Sequence, residues 1–188
     1  MRNFNAIQSE LDLVRFIASE NGDLYVPRAV DGSRLLVRWF NRSLRASLVG
    51  TYVRLLATAQ AWIERDQRLS SLVRVEQPIE AGDDFLARPF HSATPLANFL
   101  DADPENDPPE APEELATMQA RFRELADRAA PALESTIVGV LARSLLEPTY
   151  KTVYSSREER FVAMDLKPTA RELEQLEARL ENETSFPD

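Results

Sequence analysis

The sequence predicts an α+β fold, helix-rich, in which three antiparallel β-hairpins pack against amphipathic helices. Three observations lead there. Paired β-prone runs flank turn residues at Asp31-Gly32 and at Ala81-Gly82-Asp83-Asp84, and a third pair flanks the polar tip of YKTVYSSREERFVAMDLKPT at 150–169. The segments between them carry apolar residues at helical spacing. A hydrophobic share of 44% in 188 residues supplies a core of ordinary size for both kinds of element.

In chain order, NAIQSELDLVRFIASENG reads as a first helix. Asn5 and Gln8 have capping-box spacing, Ile7, Leu11, Val14 and Ile17 share a face, and Asn21-Gly22 supplies a left-handed stop. DLYVPRAVDGSRLLVRWF is then a hairpin, because both central residues of a tight two-residue turn need positive φ and Asp-Gly tolerates it. Pro27 cannot donate a ladder hydrogen bond, so its strand is expected at a sheet edge. A long helix follows in SLRASLVGTYVRLLATAQAWIERDQRL, where Leu44, Leu48, Tyr52, Leu55, Leu56, Ala59, Trp62 and Ile63 repeat along one side. LVRVEQPIEAGDDFLARPF is expected to form the second hairpin, and TPLANFL a short helix with Thr94 as cap and Pro95 at its first position.

The run at 101–112 carries Pro104, Pro108, Pro109 and Pro112 among acids, a composition that favours extended, solvated backbone. It divides the chain into an expected 1–100 α/β-hairpin domain, a 101–112 acidic linker, and a 113–188 helical part with the third hairpin and a C-terminal helix. In that last part Leu115, Met118, Phe122, Leu125 and Ala129 form an amphipathic helix that Pro131 ends, and Leu133, Ile137, Val140, Leu141 and Leu145 form the next, up to Pro148. After the third hairpin, Thr169 and Glu172 open the closing helix as a capping box, with Leu173, Leu176 and Leu180 as a narrow stripe. So thin a stripe requires a partner surface, either the body of the chain or a second copy in a homodimer.

Charge is unevenly spread. Residues 101–114 hold seven acids and no base, and 170–188 hold six acids against Arg171 and Arg179, so these two appendages carry −7 and −4, more than the whole net −9, and the rest is nearly neutral at +2. A chain without a basic face is not expected to bind nucleic acid. The start MRNFNAIQSELDLVRF has acids inside its apolar run, and no stretch approaches a membrane span, so neither a signal peptide nor a membrane partner is expected. With no Cys, thiolate and disulfide chemistry are excluded, and a cytoplasmic location is expected.

His91 is the sole histidine, which excludes histidine metal clusters and His-pair catalysis, and no glycine-flanked serine turn accompanies it. DADPEND alternates carboxylates like a calcium loop, but Asn106 and Pro112 stand where the glycine and the final acid belong. Five glycines cannot build a phosphate cradle. VRWFNRSLR is the distinctive local feature: Arg38, Arg42 and Arg45 cluster at the start of the long helix, where helix-terminal N–H groups also favour anions, making these three the candidate anion- or partner-binding residues.

The order hairpin, long helix, hairpin, short helix, helices, hairpin resembles the protein-kinase fold. By that resemblance LLVRWF is the third strand with Arg38 in the lysine position, and RFVAMDLKPT puts Asp165 in the magnesium-binding position. The departures are several. The long helix has no acid before Glu64, no glycine-rich loop precedes it, LARSLLEPTYKTVY lacks the catalytic aspartate and the asparagine, and Leu166-Lys167 replaces Phe-Gly. In element order and charge the first hundred residues also resemble the small acidic secretion chaperones, which are cytosolic and dimeric and imply a partner surface of edge strands.

The function read from these residues is a non-catalytic cytosolic protein-binding factor, adaptor or chaperone-like, that recognises another protein through edge strands or the C-terminal helix and uses no cofactor and no metal. The alternative is a degenerate kinase-like protein, a pseudokinase, holding ATP and magnesium with Asp165 as the metal ligand.

Overall fold

The computed structural model describes residues 2–18, 23–28, 35–40, 47–91, 93–100, 113–129, 133–147, 149 and 151–183. In chain order these form α1 (Phe4–Glu10), β1 (Leu13–Ile17), β2 (Asp23–Pro27), β3 (Leu35–Trp39), α2 (Ser47–Glu64), α3 (Gln67–Leu72) and β4 (Val73–Val75). There follow β5 (Glu80–Ala81), β6 (Phe85–Pro89), β7 (Thr94–Pro95), α4 (Leu96–Leu100), α5 (Glu113–Ala126), α6 (Leu133–Leu145), β8 (Thr152–Ser155), β9 (Arg160–Ala163) and α7 (Ala170–Glu183). The fold is α+β, and the three predicted hairpins are the antiparallel pairs β2–β3, β5–β6 and β8–β9.

Two compact units share these elements. One comprises 1–54, 77–91 and 170–188, the other 55–76 and 92–169, so that α2 begins in the first and ends in the second. The Asn21-Gly22 and Asp31-Gly32 turns, Arg42, Leu44, Arg45, Pro131, Pro148 and the acidic run 101–112 lie outside the described residues.

The first unit is an antiparallel sheet in the order β1-β2-β3-β6-β5. α1 covers one face: Phe4 and Ile7 are buried with Leu13, Tyr25, Val37, Phe85 and Ala87, and the Phe4 ring stacks on Trp39 at 4.7 Å. The hairpin tip grips this helix. Asp84 accepts from the Phe4 amide at 2.7 Å and from Trp39 Nε1 at 3.2 Å, satisfying two buried donors with one carboxylate.

Two expectations are corrected here. The first helix stops at Glu10, capped by Asn3 rather than Asn5, and the chain turns at Asp12 with φ 44° into a strand. Leu-Val-Arg-Phe-Ile is rich in β-branched and aromatic residues, and pairing with β2 outweighs the helical spacing of Leu11, Val14 and Ile17. That pairing makes β2 an interior strand. Pro27 is tolerated because it is the strand's last residue, opposite Leu13.

The second unit combines a helical core with a sheet in the order β4-β9-β8-β7. Trp62 of α2 meets Phe122 of α5 edge-on at 5.6 Å, and Leu115, Met118, Ile137, Val140, Leu141 and Leu145 are buried at the spacing read from the sequence. Two further corrections arise in this sheet. Residues 73–75 do not join the second hairpin but pair in parallel with β9, Val73 opposite Phe161. Thr94 and Pro95 do not open a helix; they pair with Tyr154 and Val153 of β8, and α4 begins one residue later. Strands from both sides of 101–112 therefore share one sheet.

Among the described residues no helix is long and apolar enough to cross a membrane.

Candidate functional site

Cross-strand register sorts the residues of the first sheet by face, since directly opposed residues point the same way. Tyr25, Val37 and Ala87 face α1. Arg38 therefore points to the opposite face, between Leu24 on β2 and Leu86 on β6. It is 7% exposed, and its guanidinium lies 5.9 Å from the centre of the Phe40 ring. Of the three predicted arginines it alone belongs to the described residues, and it sits inside a sheet face rather than on a solvated helix start. Its guanidinium is a permanently charged, planar donor of the kind that pairs with phosphates and carboxylates.

The other predicted residue, Asp165, lies in the second unit just past β9 and is 3% exposed. The hairpin register decides its neighbour. Thr152 opposes Ala163, and the next rung is closed by the Met164 amide donating to the Lys151 carbonyl at 2.8 Å. Lys151 Nζ then reaches Asp165 Oδ2 at 3.0 Å. Around this pair the chain is stitched together: the Lys151 amide donates to Thr149 Oγ1 at 3.0 Å and the Ala97 amide to the Thr149 carbonyl at 2.9 Å. Thr152 Oγ1 donates to the Ser144 carbonyl at 2.8 Å, satisfying an acceptor in the last turn of α6. Arg143 Nε donates to the Lys167 carbonyl at 3.2 Å.

A carboxylate this deep is costly unless an opposite charge and hydrogen bonds accompany it. Lys151 supplies that charge. The magnesium implied by the kinase resemblance does not fit this donor set. An ammonium already lies against the carboxylate, no Asp or Asn occurs between Leu146 and Lys151, and among the described residues no group of three or more His, Asp and Glu could hold a metal. Motif spacing does not reveal Lys151, because the kinase pattern has an aspartate and an asparagine in this segment; the register of the hairpin does.

A third polar cluster is structural. Arg74 on β4 donates to both carboxylate oxygens of Glu158 at 2.7 and 2.8 Å and pairs with Glu76 at 3.1 Å, while Arg160 lies 3.2 Å from Glu158. The Arg74 guanidinium holds Glu158 well below its ordinary 4.5, at about 2. The network ties the tip of the β8–β9 hairpin to β4.

No family model and no curated protein matches the chain. Among solved structures, a macrolide 2'-phosphotransferase apoenzyme from Brachybacterium faecium matches at 14% identity and a TM-score of 0.42, over 96% of this chain and 84% of that one. A type I macrolide 2'-phosphotransferase matches at 11% identity and 0.38, over 97% and 81%. Both superpositions are loose, so a kinase-like reading has to stand on this chain's own strand order.

Proposed function

We propose that this chain is a degenerate kinase-like protein that works by binding, with a nucleotide as its first ligand, and does not transfer phosphoryl groups. The observation that supports it is the sheet order β1-β2-β3-β6-β5. After β3 the chain leaves through a long helix, then returns to lay β6 beside β3 and β5 outside it, which is what hairpin, helix and hairpin must do to close a kinase-like sheet. Arg38 then occupies the strand position where the family keeps a phosphate-pairing lysine, and Arg can pair a phosphate there without a titration step. Loss of catalysis is read from the residues themselves: positions 146–151, between α6 and β8, hold neither the Asp nor the Asn with which the kinase pattern orients an attacking hydroxyl and its metal, Glu147 being the one carboxylate there.

Thermal shift with ATP tests this reading. At a concentration about 100 times its Kd, ATP is expected to raise Tm by roughly 5 °C, and Arg38→Met to remove the rise while the variant stays folded. An unchanged Tm sinks the nucleotide reading.

One observation favours the adaptor reading as second. β1 is an edge strand, and Phe16 and Ile17 on it are 53% and 46% exposed, an apolar edge that an extended peptide or a second copy would cover by adding a strand. It leads if ATP is silent and light scattering finds a dimer that Phe16→Lys disperses.

A further inference from the structure

We infer that Lys151 is a tethered substitute for a divalent cation: its ammonium occupies the metal position at Asp165 and keeps metal out. That a metal position exists there rests on the kinase-like reading; the ion pair does not. Lys151 Nζ lies 3.0 Å from Asp165 Oδ2, and the two side chains are 24% and 4% exposed, so the pair is sheltered and the carboxylate is the more deeply held partner. Lys151 is also fixed at its backbone. Its amide donates to Thr149 Oγ1 and its carbonyl accepts from Met164, which leaves the side chain a short, defined reach.

A cation delivered by the chain has two consequences. It neutralises Asp165 at every metal concentration, so folding around the hairpin base needs no ion. It also repels a divalent cation at the distance where attraction to the carboxylate would be greatest, and a single carboxylate cannot offset that charge. Thr149 Oγ1 and the Thr149 and Lys151 carbonyls already accept hydrogen bonds from the Lys151, Ala97 and Met164 amides, so Asp165 is the carboxylate on which an ion would depend, and Lys151 holds it.

The test uses the full chain and manganese alone, without nucleotide, so that failure of nucleotide binding and failure of this inference are separate results. Manganese binding is read by electron paramagnetic resonance and by Tm for the wild type, Asp165→Asn, Lys151→Asn and the double variant. The wild type is expected to show no binding that Asp165→Asn removes. Lys151→Asn is expected to gain a manganese-dependent rise in Tm and to bind about tenfold more tightly or better than the wild type, and the double variant to lose both. If Lys151→Asn unfolds without metal, refolding on addition of manganese is the readout, and failure to refold counts against the inference. A wild-type manganese response that Asp165→Asn abolishes overturns it, as does a folded Lys151→Asn that ignores manganese.

Discussion

Gly82 sits at the second hairpin tip, where its amide donates to the Phe85 carbonyl at 3.0 Å. A Cβ at this position would overlap the Phe85 ring and the Arg2 carbonyl, and the second of these is backbone held by the Asp83 amide at 2.9 Å. The obstacle is close approach, not φ. Gly82→Ala is expected to cost about 2 kcal/mol, because the N-terminal segment has to shift and loosen the Asp84 bonds to Phe4 and Trp39. Chemical denaturation with unchanged m-value measures it. Glu158 gives a residue-level pH prediction. Its folded carboxyl titrates near 2 against an ordinary 4.5, so the folded state favours the ionised form. The unfolded chain binds the extra proton between these values, and stability present above about pH 4.5 is lost as pH falls toward 2. Glu158→Gln should flatten that part of the acid-denaturation profile and lower stability at neutral pH by about 2 kcal/mol.

Among the elements, β4 shows how a sheet edge is closed without a further strand. It pairs with β9 on one side, where the Glu76 amide donates to the Ala163 carbonyl at 2.9 Å. On the other side the Val75 amide donates to Gln60 Oε1 of α2 at 2.7 Å, so a helix side chain caps the ladder. Gln60→Leu is expected to destabilise by about 1 to 2 kcal/mol and to speed hydrogen exchange at the Val75 amide more than at its neighbours. Helices α2, α5 and α6 and all three hairpins were legible in the sequence, because a 3.6-residue stripe or a turn flanked by β-formers is complete within one short segment. β1 and β7 were not, and β4 was legible as a strand but not its partner. Each is a short run whose pairing lies elsewhere: β2 for β1, β9 for β4 and β8 for β7.

At the scale of the whole molecule, the two units interleave along the chain. The second sheet takes β4 and β7 from before residue 101 and β8 and β9 from after residue 112, and Trp62 packs on Phe122 across the same interval. A fragment of residues 113–188 keeps the β8–β9 hairpin but loses both flanking strands and the Trp62 surface of α5. It is expected to melt without a cooperative transition, and adding a 1–100 fragment to restore one; circular dichroism on the fragments and their mixture checks this. A sharp transition for 113–188 alone would contradict it.

The sequence by itself determined the fold class, the three hairpins and the main amphipathic helices, since periodicity, turn chemistry and composition act over a few neighbouring residues. It also put Arg38 on a strand and Asp165 at a strand's end. Tertiary structure alone decided that Arg38 lies between two leucines on the face away from α1, that β4 runs parallel to β9, and that Lys151 meets Asp165. Those outcomes depend on which strands pair and in which register, and pairing energy is shared between segments that no local pattern connects.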